Sequence, residues 1–456
     1  MINGIITSAT GQAYWSEKTR RKVFYQYPQG AAPLMGLLSL LEDHESDKTE
    51  YGWWEERFED YVTTTAQLAT TGPFGTDDAS PTAKAAGWTA AVGSSFSVTV
   101  TDASKFRERD IVWVKDVDGN VSGVIQVYGR ITAVNVESGV LFVRAVKAVP
   151  AAKNDTVQND RNVILIGSAT GEGDRSRTGQ TTRPIEIMNY SQIFRTAFSL
   201  TRNALKAGLR YDSSGEYKTA AKKNALRHMI MLERAFFFGQ RGSQTVVNDD
   251  GESVPEKTMG GLEWFLDQWE LGNTDNGGEF DYRPGEDSVA SSAWQTTDDK
   301  RICDVAGAMT KSEFYGILER LFRYTNDESF EKLCLCGSGF IMAFNEFIDN
   351  NTIVQRKLFE TGKGGFNLME WESPFGTIYM KSHPLLNEHS WCRNDAYFLD
   401  LGDIQYVYAQ DADTTLLKNR QANDADKRKD EWMTECGLEL RYPEQNLILR
   451  GVTSIG

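Results

Sequence analysis

The side chains that most often bind metals or act as nucleophiles are few in this chain and lie far apart. The 456 residues include four histidines and five cysteines, at His44, His228, His383, His389, Cys303, Cys334, Cys336, Cys392 and Cys436. Zinc ligands come in closely spaced pairs, and one weak pair, His389 with Cys392, fits that spacing. An odd number of scattered cysteines does not indicate a disulfide framework in a chain of this length. We therefore predict neither a metal centre nor disulfides.

The motifs of phosphate binding and nucleophilic catalysis are also missing. The chain has no GxSxG elbow, no GxxxxGK(S/T) loop and no strand–GxGxxG–helix unit. The run GKGG at 362–365 lacks the rest of a phosphate-loop pattern, and we interpret it as a loop tip. The run DVDGN at 116–120 opens like a calcium loop, but no acidic residue follows at the bidentate position, so a hairpin turn at Asp118 and Gly119 is favoured. We predict no catalytic, cofactor-binding or metal-binding residue, no cofactor and no enzymatic activity.

Charge and hydropathy argue against a nucleic-acid-binding protein and against a membrane or secreted protein. The 64 acidic residues outnumber the 49 lysines and arginines, which gives a formal charge of −15. Because such a surface repels polyphosphate on average, nucleic-acid binding is not predicted as the main function. No run approaches the roughly 18 apolar residues of a membrane span. The first residues also lack a basic segment followed by an apolar one, so neither a membrane segment nor a secretory signal is predicted.

The strongest structural signal is one long helix, predicted over 213–239. Ser213 and Glu216 have the spacing of a capping box, and Gly239 stands where a left-handed C-terminal cap is expected. At about 1.5 Å per residue the helix would be roughly 37 Å long. Its apolar residues form two stripes, which predicts packing against more than one layer. Lys223, Arg227 and Arg234 share a basic face that requires acidic partners.

Before this helix the chain reads as an arm, a strand and a β-rich unit. The arm includes a short apolar helix after Pro33, and the strand that follows places Trp53 and Trp54 on opposite faces. Five strand candidates separated by turn signals occupy about 90–168, which predicts a small barrel or sandwich. An extended segment at 189–201 then leads to the long helix.

After the helix the pattern is α/β. A short amphipathic helix follows at MGGLEWFLDQWEL, and 272–297 reads as an exposed, acidic excursion. Thr310 and Glu313 form a second capping box at the start of a helix, and the strand KLCLCG leads into the next helix. The run DADKRKDEWM is interpreted as a charged helix or loop, and two strands close the chain. The fold class is α+β.

This order of parts resembles the Hong Kong 97-type fold of tailed-bacteriophage major capsid proteins. The similarity covers nearly the whole chain and is carried by YPQGAAPLMGLLSLLE, EYGWWEERF, RPIEIMNYSQIFRTAFSLT, LERAFFFGQRG, NDAYFLDLGDIQYVY and GLELRYPEQNLILRGVTS. The resemblance implies an N-terminal arm (1–48) and a peripheral-domain strand and E-loop (49–190) enlarged by the β-rich insertion. It also implies a peripheral domain with the spine helix (191–300), an axial domain (301–395) and closing strands (396–456).

The resemblance further implies a subunit that assembles with itself as hexamers and pentamers into an icosahedral shell around double-stranded DNA, without sequence-specific binding. The implied partners are a portal, a scaffolding protein, which the missing coiled-coil prefix suggests is separate, and a possible decoration protein. The protein would be part of the virion, assembled in the host cytoplasm, with no membrane association. The candidate residues of the subunit interface are Leu37, Leu38, Leu41, Trp53, Trp54, Arg227 and Arg234.

Two other classes stay open at this point. A cellular nanocompartment (encapsulin-like) shell protein would share the fold but bind cargo and lack a portal partner. An enzyme with a β-rich accessory domain would instead be a monomer or small oligomer with a deep polar cleft.

Overall fold

The computed structural model describes residues 34, 38, 43–55, 62–64, 91–115, 126–147, 162–173, 184–206, 215–248, 251–271, 300–323, 330–349, 356–359, 368–388 and 390–456. They belong to two compact units. The first unit draws on 1–55, 185–291 and 295–456, and the second draws on 56–184.

Strands dominate both units. In chain order the strands are β1 (Asp43–Ser46), β2 (Glu50–Glu55), β3 (Val62–Thr64), β4 (Ser95–Thr99), β5 (Asp110–Lys115), β6 (Gln126–Asn135), β7 (Val140–Ala145), β8 (Asn162–Ser168), β9 (Ile185–Tyr190), β10 (Gln192–Thr201), β11 (Gly242–Val247), β12 (Ser253–Thr258), β13 (Ile302–Met309), β14 (Glu331–Cys336), β15 (Arg356–Phe359), β16 (Leu368–Glu372), β17 (Thr377–Ser382), β18 (Ala396–Leu399), β19 (Ile404–Ala409), β20 (Thr415–Leu417), β21 (Lys427–Leu440) and β22 (Leu447–Ile455).

The helices that can be assigned within the described residues lie in the first unit. They are α1 (Arg202–Lys206), α2 (Glu216–Phe238), α3 (Leu262–Leu271), α4 (Lys311–Leu321), α5 (Ser338–Asp349) and α6 (Pro384–Glu388), with short 3₁₀ turns at Leu401–Asp403 and Pro443–Gln445. The mixture confirms the predicted α+β class.

A seven-stranded mixed sheet in the first unit is covered by apolar side chains on both faces. Its strand order is β13-β22-β18-β14-β17-β16-β15. Successive residues of a strand point to opposite faces, so runs such as LCLC and AYFL must be apolar throughout. One face contributes Leu333, Leu335, Tyr397, Leu399 and Ile448 to a core shared with α2 and α3. The other face contributes Cys334, Cys336, Ala396, Phe398, Leu447 and Leu449 to a core shared with α4 and α5.

A five-stranded sheet forms the second layer against α2. Its strands run in the order β1-β19-β21-β10, with β20 paired to β21. β10 and β21 are antiparallel from Gln192↔Cys436 to Thr201↔Lys427, and α2 packs on this pair. The two ribbons β2–β9 and β11–β12 complete the unit. Because α2 contacts this sheet and also the core of the seven-stranded sheet, the prediction that it packs against more than one layer is confirmed.

The second unit is a six-stranded antiparallel sheet in the order β3-β8-β5-β6-β7-β4. All five strand candidates of the β-rich segment are confirmed as β4 to β8. Register shifts interrupt the pairing of β5 near Ile111 and of β6 near Ile131, and the core of this unit includes Phe106 from a loop. Within the described residues these strands form one sheet with β3 and β4 at its edges, and the small barrel or sandwich stays a prediction.

Three local predictions also need correction. Gly215, rather than Ser213, precedes α2; its φ of 84° is one that glycine adopts without strain, and no side chain caps this end. Gly239 ends α2 in an extended conformation (φ −59°, ψ 139°) instead of a left-handed one. The charged run near 424–433 belongs largely to β21, because Arg428 pairs with the buried Asp430 and so allows charged residues in the strand.

The end of α2 requires glycine because two backbone segments meet there. A Cβ on Gly239 would overlap the carbonyl oxygen of Ala235 and lie 2.8 Å from that of Met259. The Gly261 amide donates a 2.9 Å hydrogen bond to the Gly239 carbonyl and so starts α3 against the end of α2. The geometry of this corner therefore depends on close backbone contact, not on a left-handed cap.

We expect Gly239→Ala to lower the free energy of unfolding by about 2 kcal/mol or more, because the corner must open to admit the methyl group. Gly316→Ala is the matched control, since Gly316 lies in the exposed face of α4 and an added Cβ meets nothing within 4 Å. That change should stabilise by up to about 1 kcal/mol. Thermal unfolding of the full-length protein measures both, and a Gly239→Ala midpoint at or above wild type would contradict the packing described.

Candidate assembly surfaces

The spine helix α2 is the element that positions the candidate contact residues. One side of its C-terminal half is buried, and the ring centroid of Phe237 lies 4.7 Å from that of His383 and 5.0 Å from that of Tyr397. Its N-terminal half is held by Tyr217, whose hydroxyl bonds the buried Asp430, and by Trp432, whose indole N–H donates to the Ala221 carbonyl. Polar contacts at one end and aromatic packing at the other therefore fix the helix along its length.

A buried carboxyl joins the arm to this helix. Glu233 Oε1 accepts a 2.8 Å hydrogen bond from the backbone N–H of Leu34 and a 2.7 Å bond from His383 Nε2. His383 Nδ1 accepts from the N–H of Leu385 at 3.2 Å, so the ring proton sits on Nε2 and the neutral imidazole satisfies both contacts. Glu233 thus connects three segments that are far apart in the chain.

A second buried polar chain links α2 to the five-stranded sheet. His228 contacts the hydroxyl of Thr196 in β10 through Nδ1 (2.9 Å) and that of Thr434 in β21 through Nε2 (2.8 Å). Thr434 in turn bonds Thr414 at 2.9 Å. Burial lowers the pKa of His228 and so favours its neutral form. His228 is therefore a packing residue whose two ring nitrogens both have hydrogen-bond partners.

A group of buried acids lies where β2, β14 and two 3₁₀ turns meet. Lys332 Nζ contacts Asp400 Oδ2 at 2.6 Å, and Asp403, Glu55 and Glu444 are nearby. Burial raises the pKa of Asp403 to about 7, and repulsion from Asp400, Glu444 and Glu55 adds to this against the opposing effect of Lys332. Among the described residues, Oδ2 of Asp403 has no hydrogen-bond partner. The cluster therefore favours a protonated Asp403 at acidic pH.

Two of the predicted interface residues are in the core of their own subunit. Leu38 is fully buried and Trp53 is 7 % exposed, and both pack in the core around α2. Trp53 Nε1 donates to Glu55 Oε1 at 2.9 Å, and its ring lies 5.9 Å from that of Phe265. Neither side chain is presented to a neighbour, because Leu38 and β2 pack on the subunit itself. Leu38 is therefore not free for the subunit contact that was predicted for it, and Leu37 and Leu41 lie outside the described residues.

The other three candidates are on the surface. Trp54 is 64 % exposed, which confirms that β2 directs its two tryptophans to opposite faces. Arg227 and Arg234 are exposed on α2. Arg234 already forms a 2.7 Å ion pair with Glu388 of the same chain, so its acidic partner is internal. Trp54 and Arg227 therefore remain available, and a contact with a neighbouring subunit remains a prediction for them.

The sequence patterns did not predict the buried hydrogen bonds that hold the elements carrying these surfaces. Glu233 and His383 are separated by 150 positions, and Leu34 contributes a backbone amide, which carries no side-chain signal. The one hint was a glutamate between the buried Leu232 and Phe236 of α2. The exposed Trp391, 63 % accessible and packed 5.5 Å from Phe238, was missed as well, because it lies in a polar loop.

Metal-ligand groups and membrane-spanning helices can both be searched for in the described residues. Among them, no group of three or more histidine, cysteine, aspartate or glutamate side chains is arranged to hold a metal ion. None of the described helices has both the length and the hydropathy needed to cross a membrane. The loops at 116–120, 272–297 and 362–365 lie outside the described residues.

The first unit places one long helix between two sheets, and the second unit is rich in β-strands, so the fold is α+β. Residues 6–453 match the family described as SU10 major capsid protein, so the chain belongs to the SU10 major capsid protein family. The predicted identity, a tailed-phage major capsid protein, is thereby confirmed.

Individual relatives are more distant. The chain is 27% identical to the major capsid protein of Pseudomonas phage PaMx41 over 153 residues, which is 32% of this chain and 35% of that protein. A chain from Mycobacterium phage Patience is 11% identical with a TM-score of 0.39, over 64% of this chain and 76% of that one. The Cyanophage A-1(L) capsid is 10% identical with a TM-score of 0.38, over 63% and 85%. The SrpI encapsulin of Synechococcus elongatus PCC 7942 is 10% identical with a TM-score of 0.36, over 59% and 76%. The family assignment does not depend on these structural overlaps.

The raised pKa of Asp403 predicts a pH-dependent stability. Because an unfolded aspartate titrates near pH 3.9, the folded protein retains a proton between about pH 4 and 7 that the unfolded chain has released. The free energy of unfolding must then fall as pH rises through this window, and the loss is complete above pH 7.

Asp403→Asn should remove this dependence. As pH rises from 4.5 to 8, the free energy of unfolding of the variant should increase relative to that of wild type by on the order of 2 kcal/mol. Denaturant unfolding at both pH values gives the difference, and Asp424→Asn, at an exposed position, is the control. If the Asp403→Asn and wild-type curves shift equally with pH, then Asp403 is not the titrating group.

Proposed function

We propose that this protein assembles with itself as hexamers and pentamers into an icosahedral shell that encloses the double-stranded DNA of a phage. The observation that carries this proposal is the family match, which runs from residue 6 to residue 453 and so includes both compact units. The way in which α2 is held in the subunit also supports the proposal. The helix is fixed along its whole length by the chain's own contacts, yet it keeps an exposed, charged side.

The regions of the subunit have distinct proposed roles. Residues 1–48 form the N-terminal arm, 49–190 the E-loop with the inserted β-rich domain, 191–300 the peripheral domain, 301–395 the axial domain and 396–456 the closing strands. Leu34 and Leu38 pack in the core with α2, which supports an arm whose C-terminal part is fixed to its own subunit. The ribbon β2–β9 supports an E-loop that leaves and re-enters the first unit through paired strands.

The partners follow from the same role. A separate scaffolding protein and a portal would direct assembly in the host cytoplasm, and a decoration protein is a possible further component. The formal charge of −15 favours a wall that encloses DNA without binding it tightly or in a sequence-specific way. Neither a cofactor nor a catalytic activity is part of this proposal.

The two neighbouring tryptophans of β2 offer a matched test. Purified protein, with a co-expressed scaffold where needed, should form closed shells by electron microscopy and fast-sedimenting particles by ultracentrifugation. Trp54→Ser should reduce assembly with little change in the thermal midpoint, since this side chain is mostly exposed. Trp53→Ser should instead destabilise the subunit by about 3 kcal/mol or more, because it empties a core position.

Three outcomes separate the functions considered. A uniform small oligomer at every concentration and with scaffold present would contradict the capsid function and favour an enzyme. Shells that form around a bound cargo protein and without a portal would indicate a nanocompartment. Full assembly of Trp54→Ser would remove Trp54 from the contact surface while leaving the shell function intact.

A further inference from the structure

The N-terminal half of α2 has a cationic face turned away from the sheet on which it packs. We define this face by Lys218, Lys222, Lys223 and Arg227. The buried residues of this half, Asn224 and His228, lie on the opposite side. Between Glu216 and Glu233 the helix contains no acidic residue, so these four charges are not interspersed with carboxylates. A positive face of this kind is unusual in a chain with a formal charge of −15.

The positive charges of this face lie close enough together for one to lower the pKa of another. Burial lowers the pKa of Lys223, and repulsion from Arg227 lowers it further, while Glu216 has the opposite effect. Lys218, Lys222 and Arg227 are exposed, and within the described part of the chain none of them forms an ion pair with a carboxylate. Further along the helix, Arg234 differs in having Glu388 as its partner. The cationic face is therefore suited to bind an anionic surface.

A complementary surface lies at the far edge of the same five-stranded sheet. We define this acidic edge by Asp43, Glu45, Asp47, Asp411 and Asp413, all of which are exposed. Glu45 lies opposite Tyr408 in the parallel pairing of β1 with β19, and the Gln410 amide bonds the Ser46 carbonyl. The proximity of these charges is visible at the Tyr408 phenol, whose pKa is raised by burial and then by Asp43, Glu45 and Asp413.

The sheet places the two surfaces at opposite ends. β1 is one edge strand, and α2 packs on β10 and β21 at the other edge. Among the described residues β1 pairs with β19 alone, so β1 is an edge strand of this sheet. Two complementary surfaces at opposite ends of one body form a head-to-tail contact, which closes into a ring when the rotation between copies permits.

We propose that the cationic face of α2 in one subunit binds the acidic edge of β1 and the 411–413 turn in a second copy. This rests on the proposed shell function and names the surfaces that bring neighbouring subunits together. Lys222 and Arg227 supply exposed positive charges on one side, and Asp43 and Glu45 supply negative charges on the other. Such a contact guides register and association rate, and it weakens as salt rises.

Charge complementarity favours a second copy over nucleic acid as the occupant. The acidic edge is present on every subunit at the same stoichiometry as the cationic face. A DNA duplex approaching the face would also meet the surrounding negative charge of the protein, which opposes the binding of phosphates. DNA is therefore the alternative that the experiment must distinguish.

A charge-swap experiment on the full-length protein tests the contact. Lys222→Glu with Arg227→Glu reverses the cationic face, and Asp43→Lys with Glu45→Lys reverses the acidic edge. Each pair should raise the protein concentration at half-assembly about tenfold at low salt, and the four changes together should restore it to within about twofold of wild type. Lys147→Glu with Lys418→Glu, two exposed lysines outside both surfaces, should have little effect.

Circular dichroism and thermal melting establish that each variant is folded, so that only assembly is compared. If wild type assembles but the combined variant assembles no better than the single reversals, the contact is wrong while the shell function holds. If wild type itself forms no particles with scaffold present, the proposed function has failed. If the helix reversal leaves assembly unchanged and instead abolishes binding to a 30-base-pair duplex, the cationic face binds nucleic acid and the proposal is overturned.

Discussion

One buried carboxyl, that of Glu233, holds together segments that the chain order separates widely. It accepts hydrogen bonds from the Leu34 amide and from His383, and so joins the arm, the spine helix and the turn after β17. Both donors face this acidic side chain, and their hydrogen bonds offset part of the cost of burying it. The aromatic core around Phe236 and Phe237 then closes over the joint. The position of the arm and of α2 relative to the seven-stranded sheet depends on this contact.

Around that joint the first unit is built in layers that share the same helix. Strands β14, β18 and β22 must be apolar on both faces, because α2 and α3 cover one face while α4 and α5 cover the other. The five-stranded sheet carries its polar connections to α2 through His228 and Asp430. This division leaves exposed charges at two ends of one sheet. It provides a rigid body with surfaces that are free to meet neighbours, as a shell subunit requires.

Periodicity was sufficient to predict most elements. The alternation in EYGWWE separates Trp53 from Trp54, and the capping box at Thr310 and Glu313 forms as expected, with the two residues exchanging hydrogen bonds. The sequence could not show that Leu38 is buried in its own subunit, since a short apolar helix has the same pattern whether it docks on its own subunit or on a neighbour. The start of β21 was missed because its charges are neutralised by a partner, Arg428 beside Asp430, that only the folded sheet creates. Contacts between residues more than a hundred positions apart, such as Glu233 with His383, leave no local signal.

The role of Glu233 can be tested most directly by hydrogen exchange at the amide of Leu34 in two variants. Glu233→Gln keeps an oxygen that can accept both bonds, whereas Glu233→Ala leaves two buried donors without an acceptor. We expect Gln to retain most of the wild-type protection, and Ala to lose it together with about 3 kcal/mol of stability. Equal protection in the two variants, at the wild-type level, would contradict the view that this carboxyl anchors the arm to the spine helix.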